Sequence, residues 1–184
     1  MFSQCRWWGK TAAHRHHRER GAVAVEFALV LPLLVMLLLG LITYGVTFSQ
    51  GIGLTNAVRE GSRFAASTAA DSSGASLDWT SWTADVISRT RVVQMDDAGS
   101  ESTICVRLLK NTSTVPAAPS QVATECSIGA VPLTSLTTPT PPNVPSNSCF
   151  VMVWGGRTFH LDAFVFQHDG VLERKSLARY ERTC

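Results

Sequence analysis

The sequence contains one long stretch without any charge. No Asp, Glu, Lys or Arg occurs between Phe27 and Val58, and most residues from Phe27 to Ile42 are Leu, Ile, Val or Phe. A helix from Phe27 to Phe48 would be roughly 33 Å long, enough for the hydrocarbon core of a bilayer. The absence of charge therefore predicts a membrane-spanning helix, which we place at residues 22–48.

Catalytic signatures are also missing. The chain has no Gly-x-Ser-x-Gly, no His-Glu-x-x-His and no glycine loop that could cradle a phosphate, which are the patterns that would indicate a hydrolase, a zinc peptidase or a nucleotide-binding protein. We interpret His160 as a structural residue of an apolar strand and His168 as a turn residue. The sequence therefore predicts no enzymatic activity and no cofactor.

The spacing of potential metal ligands is unfavourable as well. No Cys-x-x-Cys occurs, although zinc sites usually contain such closely spaced ligands. His14, His16 and His17 alternate with arginines, whose positive charge opposes cation binding. We therefore predict no metal site. A basic arm could also contact nucleic acid, but here a membrane helix follows it immediately, so we expect no nucleic-acid partner.

Positive charge is concentrated at the N-terminus. Before Gly21 a single acid, Glu19, is outnumbered by Arg6, Lys10, Arg15, Arg18 and Arg20. Because flanking Lys and Arg stay on the cytoplasmic side of a membrane, residues 1–21 are predicted to be a basic cytoplasmic leader. Residues beyond about position 50 are then extracytoplasmic.

This orientation divides the five cysteines between two compartments. Cys105, Cys126, Cys149 and Cys184 fall on the outer side, where disulfides persist, whereas Cys5 stays in the reducing cytoplasm. The four outer cysteines are disulfide candidates, and their three possible pairings remain open. A disulfide that closes a loop of about 20–35 residues would stabilise a small domain by roughly 3–4 kcal/mol.

Two residues stand out within the apolar run. Glu26 is an ionisable side chain in a membrane segment, and such groups are costly, so it is a functional candidate. The alternative is that it lies near the boundary and reaches the headgroups. Pro32 removes a helical hydrogen bond, and it marks either a flexible point for extraction from the membrane or a bend without consequence.

The order of these features resembles a known signal. A basic stretch, Gly21, four apolar residues and Glu26-Phe27 are similar to the class III signal of type IV pilin-like proteins. In those proteins a prepilin peptidase cuts after the glycine, which would make Ala22 the new N-terminus and Glu26 the fifth residue. Related Flp pilins usually have Glu-Tyr at this point, where this chain has Glu26-Phe27.

The resemblance extends from Arg20 to Ser67 and is closest to the TadE-like family of pseudopilins, which are associated with tight adherence (Tad) pili. The matching motifs are Glu-Phe-Ala-Leu-Val-Leu-Pro, at 26–32, and Asn-Ala-x-Arg-Glu-Gly-x-Arg-aromatic-Ala, at 56–65. The resemblance implies a minor pseudopilin of the bacterial cell membrane, a peptidase substrate whose partners are other pilin or pseudopilin subunits and the assembly platform.

In that setting Glu26 would pair with the α-amino group of a neighbouring subunit, and Phe27 would contribute to helix contacts. The competing interpretation is an uncleaved, single-pass, membrane-anchored extracytoplasmic binding protein. An ordinary secretory signal peptide fits less well, because its apolar region is typically only about 7–15 residues long and is followed directly by a small-x-small site.

The remaining sequence predicts a small α+β, pilin-like ectodomain. From Gln50 to Ser67 the apolar residues fall on one helical face, which predicts that the helix leaves the membrane and packs on its own domain; the alternative is a helix lying at the headgroups with Arg59 and Arg63 near phosphates. The region 49–110 is completed by a second helix over 78–94, capped by Asp78 or Thr80, and a strand over 104–109.

The C-terminal half is predicted from its prolines and glycines. Residues 111–148 hold seven of the eight prolines, so we expect an extended excursion without strand pairing; its triplet Asn111-Thr112-Ser113 fits the glycosylation pattern, which is frequent by chance. Residues 149–184 are predicted as antiparallel strands, with a hairpin at Gly155-Gly156, a turn at 168–170 and a final strand.

Overall fold

A computed structural model describes residues 16–68, 78–95, 101–163 and 166–181. It confirms the predicted α+β class, with a long N-terminal helix, a second helix and an antiparallel sheet. The chain divides into two units, residues 1–42 and residues 43–184. The helices and strands are α1 (His16–Ser67), α2 (Trp79–Gln94), β1 (Ser102–Asn111), β2 (Ser120–Ser127), β3 (Ser148–Ala163) and β4 (Phe166–Arg179).

Helix α1 begins at His16, inside the segment that we predicted to be a leader. His-Arg-Glu-Arg contains good helix formers, and each residue added to an existing helix gains one backbone hydrogen bond without a new nucleation step. The helix also continues through Pro32. Residues 1–15 of the predicted leader lie outside the described part of the chain.

In the second unit α1 becomes one-sided, as its sequence predicted. Leu54, Ala57, Val58 and Ala65 are fully buried, whereas Arg59 is exposed. The buried face joins a core made with α2 and the sheet, which includes Trp82, Val86, Ile104, Val106, Leu108, Val151, Val153 and Tyr180. Burial of these apolar side chains is the main stabilising contribution to the domain.

The second helix confirms the prediction for 78–94. The Asp78 side chain accepts a hydrogen bond from the Ser81 backbone N–H at 3.2 Å and one from the Ser81 hydroxyl at 2.5 Å. These hydrogen bonds, with the side-chain bond first, lower the pKa of the Asp78 carboxyl. At the other end Met95 has a left-handed conformation and ends the helix.

We expect Asp78→Ala to lower the thermal unfolding temperature of the full chain at pH 7. Because the folded-state pKa is depressed, the contribution of Asp78 is present above its unfolded pKa of about 3.9 and is lost as pH falls through the folded value. Circular dichroism melts at neutral and at acidic pH should therefore show a larger difference between wild type and variant at neutral pH. Asp85→Ala, an exposed acid in the middle of the same helix, is the control; a pH-independent difference for Asp78→Ala would contradict the charged cap.

The sheet has the strand order β2-β1-β3-β4 and is antiparallel throughout. The prediction that 111–148 forms no strand pairing is wrong, because β2 lies in this segment and pairs with β1 from Ile104↔Ser127 to Lys110↔Ser120. The prolines flank the eight residues of β2 instead of interrupting them. At the edge of the sheet such a strand needs only one partner.

The rest of that segment is fastened at its base by a buried asparagine. Asn111 is 2 % exposed. Its side-chain amide donates hydrogen bonds to the carbonyl oxygens of Val115, Val144 and Pro145, and its side-chain oxygen accepts one from the backbone N–H of Ser113. Both N–H donors of this amide are thus used to close the loop.

The predicted hairpin at Gly155-Gly156 is also wrong, because β3 runs straight through both glycines. A Cβ on Gly155 would lie 2.6 Å from Ile104 Cδ1, and one on Gly156 would lie 2.3 Å from Leu136 Cδ2. These glycines therefore leave room for close packing, and they do not form a turn.

The turn predicted at 168–170 is likewise part of a strand. His168 pairs with Leu161, and Gly170 pairs with Phe159, within the ladder of β3 and β4. A Cβ on Gly170 would be 2.5 Å from Phe159 Cε1, so this glycine makes space for the aromatic ring. The predicted final strand is confirmed, since β4 continues to Arg179.

One of the open disulfide pairings is decided by the sheet. Cys105 and Cys126 are bonded to each other and lie directly opposite on β1 and β2. Cys149 is disulfide-bonded too, while Cys184 lies outside the described residues. With two of the four candidates paired together, Cys149–Cys184 becomes the remaining predicted pair.

Replacing Cys105 and Cys126 together by serine should lower the free energy of unfolding by about 2–4 kcal/mol, because the unfolded chain regains the freedom of the loop between them. Denaturant titration of the full chain in detergent micelles measures this. Cys5→Ser, which affects only a predicted cytoplasmic thiol, is the matched control. Equal stability of the double variant and the control would show that this bond contributes little to stability.

Candidate functional site

The predicted cleavage and assembly residues all lie on α1. Gly21, Ala22, Glu26 and Phe27 are exposed, with Phe27 60 % exposed. A Cβ on Gly21 would meet nothing within 4 Å. These positions are therefore accessible on the described part of the chain, and the bond between Gly21 and Ala22 lies within the helix.

Large apolar side chains cover the first unit on all sides of the helix. From Val23 to Ile42 they are between 42 % and 75 % exposed. An 18-residue window within Gly21–Ser67 has a mean hydropathy of 2.7, and none of it is buried. A soluble helix would bury such a surface against its own domain. By its length and composition, this helix could cross a membrane.

Glu26 is the one acid in this surface and stands one helical turn after Ala22. Residues four apart share a helix face, so the carboxylate and the position of the predicted new N-terminus point the same way. Within the described residues Glu26 makes no ion pair. In hydrocarbon an ionised carboxylate of this kind is costly unless it meets a cationic partner.

The motif at 56–65 has a different structural role, because it belongs to the second unit. A Cβ on Gly61 would lie 2.1 Å from Thr90 Oγ1, so this glycine allows α1 and α2 to approach closely. Glu60 lies 3.5 Å from Arg89 of α2, with both side chains about half exposed. Ser62 and Ser176 share a hydrogen bond of 2.8 Å between their hydroxyls, which links α1 to β4.

The two halves of α1 therefore differ. The first half has an exposed apolar surface with one acid, and the second half has a face that packs against a folded domain. Residues 21–63 match the TadE-like protein family. This TadE-like segment contains the glycine and glutamate of the predicted signal as well as Gly61. No curated protein and no solved structure matches the chain significantly.

No group of three or more His, Cys, Asp or Glu within the described ranges could hold a metal ion. His160 lies in β3 and is exposed, where it pairs with Asp169, and His168 packs its ring against Phe159 at 6.1 Å. Both contacts join a residue of β3 to a residue of β4, along the stretch where the two strands pair.

Sequence reasoning missed two features of this molecule. The first is the contact between Gly61 and Thr90; the motif drew attention to the glycine, but nothing in the sequence indicated its partner. The second is Arg174 of β4, whose guanidinium Nε donates to Thr55 Oγ1 at 3.1 Å. No local signal marks Arg174, since it stands among other charged residues.

Proposed function

We propose that this TadE-like protein is a minor pseudopilin, a structural component in the assembly of a Tad adhesion pilus. The observation that carries the proposal is an apolar helix exposed over its whole circumference, with one acid near its start, in a segment that matches the TadE-like family. Such a surface has to be covered by lipid before assembly and by other helices afterwards. This role is structural and requires no catalytic residues.

We further propose that a prepilin peptidase removes the basic leader between Gly21 and Ala22. The excess of Lys and Arg before Gly21 favours a cytoplasmic N-terminus, which places the peptide bond at the cytoplasmic face. The ectodomain is then extracytoplasmic, in agreement with its disulfide between Cys105 and Cys126.

Cleavage would give Glu26 a suitable partner. The new α-amino group at Ala22 is cationic, and a neighbouring subunit can bring it beside the carboxylate in a medium of low dielectric constant, where opposite charges attract strongly. Each charge alone would be penalised, so the pair favours one register of helix packing. The partners are thus other pilin or pseudopilin subunits and the assembly platform.

Sequencing of the mature N-terminus tests this proposal directly. In cells with an active prepilin peptidase we expect Ala22 as the first residue and a loss of roughly 2.6 kDa, the mass of residues 1–21, relative to the precursor. A strain without the peptidase is the control and should retain Met1. Retention of the leader in cells with the peptidase would contradict processing and favour an uncleaved, membrane-anchored binding protein.

A further inference from the structure

A groove opens on the second unit between α1 and the edge strand β4. Its volume is about 400 Å³, and its lining includes Tyr44, Phe48, Arg59, Leu172 and Arg174. The rings of Tyr44 and Phe48 stack at 6.3 Å. The groove thus combines an aromatic, apolar part with a cationic part.

Strand β4 and the second half of α1 run in the same direction. The Glu181 backbone N–H donates to the Ala66 carbonyl at 3.2 Å, and Ser176 bonds to Ser62. Earlier along both elements, Arg174 bonds to Thr55. Residues near the start of β4 therefore contact the part of α1 that is nearest in sequence to the apolar run, which ends at Ile42.

The charges in the groove have one sign. Arg59 and Arg174 are its charged lining residues, and neither makes an ion pair within the described residues. The adjacent acid, Glu173, instead accepts a hydrogen bond from the Thr137 backbone N–H at 2.9 Å. Arg174 uses Nε for Thr55 and Nη1 for the Glu173 carbonyl, and a guanidinium has five N–H donors. Donors therefore remain for an anion.

The depth of the groove along α1 corresponds to the headgroup layer. If the hydrocarbon core covers about 20 residues from the region of Phe27, it ends near Phe48, and the headgroups occupy the next ~5–7 Å on that side. Aromatic residues are enriched at this boundary. Gly51 stands about 4.5 Å beyond Phe48 along the helix, and Arg174 Nη2 lies 3.7 Å from the position that a Cβ of Gly51 would take. This guanidinium therefore reaches the headgroup layer, where arginine binds phosphate oxygens well.

We propose that this groove binds one membrane phospholipid, with its phosphate at Arg174 and its glycerol region against Tyr44 and Phe48, while Arg59 adds positive charge at the end of the groove farther from the bilayer. The absence of acids from the lining favours an anionic headgroup over an apolar helix from a neighbouring subunit. The proposal rests on the insertion of α1 into a membrane but is independent of any role in a pilus.

Native mass spectrometry of the full chain released from nanodiscs tests the proposal. The discs contain phosphatidylglycerol and phosphatidylcholine in equal amounts, and the retained lipids are counted. We expect the wild type to retain one phospholipid and Arg59→Gln/Arg174→Gln to retain at least about fivefold less. Arg63→Gln, an exposed arginine of α1 outside the groove, is the matched control and should behave like wild type.

Two further measurements test whether loss of charge or unfolding explains a reduced lipid retention. Arg174→Lys keeps the charge, so it should keep most of the retained lipid, and equal melting temperatures of all variants exclude unfolding. Retention that is unchanged in the double variant, or equally reduced by Arg63→Gln, would overturn the proposal. Release of the lipid by millimolar inorganic phosphate alone would show that the groove selects free phosphate. Failure of the chain to enter the discs would contradict the membrane span itself.

Discussion

Replacing Glu26 by glutamine should reduce incorporation of the protein into assembled pilus components by at least about tenfold while leaving membrane insertion intact. In the proposed assembly Glu26 meets the α-amino group of a neighbouring subunit away from water. Removing one member of a buried ion pair leaves the other charge uncompensated, which typically destabilises by about 3–5 kcal/mol. Insertion is unaffected or improved, because a neutral amide is easier to transfer into a bilayer than a carboxylate.

The measurement is a pull-down of pilus components, accompanied by carbonate extraction of membranes to verify insertion. Glu60→Gln provides the same chemical change in the ectodomain, where the acid faces Arg89 at a half-exposed position, and should assemble normally. Glu26→Lys should be more severe than Glu26→Gln, because it adds like-charge repulsion to the neighbouring ammonium. Wild-type recovery of Glu26→Gln would refute the ion pair as the determinant of register.

Replacing Gly61 by leucine should unfold the ectodomain or bring it close to unfolding. There is no space for a side chain at this position, since even a Cβ would approach Thr90 Oγ1 to 2.1 Å. Thr90 is fully buried, and its hydroxyl donates to the Val86 carbonyl at 2.7 Å, so it cannot move aside without losing that bond. Overpacking of this kind costs about 1–3 kcal/mol for small additions and more for large ones.

A smaller substitution gives the quantitative version of this prediction. Gly61→Ala should destabilise by about 1–3 kcal/mol, and Thr90→Ala in the same chain should recover part of that loss because it removes the hydroxyl that blocks the new methyl group. Gly53→Ala is the matched control on the same helix. Nothing lies within 4 Å of its Cβ position, so it should stabilise by about 0.5–1 kcal/mol through helix propensity. Similar effects at Gly61 and Gly53 would contradict the packing account.

Features coded by neighbouring residues could be predicted from the sequence. The apolar run of α1, the buried face with Leu54 and Val58, and the Asp78 cap all depend on spacings of a few residues. Their physical cause is local, because side chains three or four positions apart share a helix face. The same holds for the central strand around Ile104.

Features that depend on distant partners could not be predicted. From the sequence alone, Gly155 resembles a turn residue. In the fold it lies in a strand, and Ile104 of the neighbouring strand occupies the space beside it. The disulfide partner of Cys105 depended on β2, which the surrounding prolines concealed. The groove depends on a hydrogen bond between Arg174 and Thr55, which are 119 positions apart. In each case the residue type is compatible with several structural roles, and tertiary packing determines which role it has.

The closed position of Asn111 has a consequence for covalent modification. Its amide nitrogen, the atom that a glycosyltransferase would modify, already donates to three carbonyl oxygens beneath the surface. An oligosaccharide could be attached only to a chain that has not yet closed this loop, and its bulk would then prevent closure. Sugar found at this triplet would therefore identify molecules that were modified before this loop folded, and fully folded copies should be free of it.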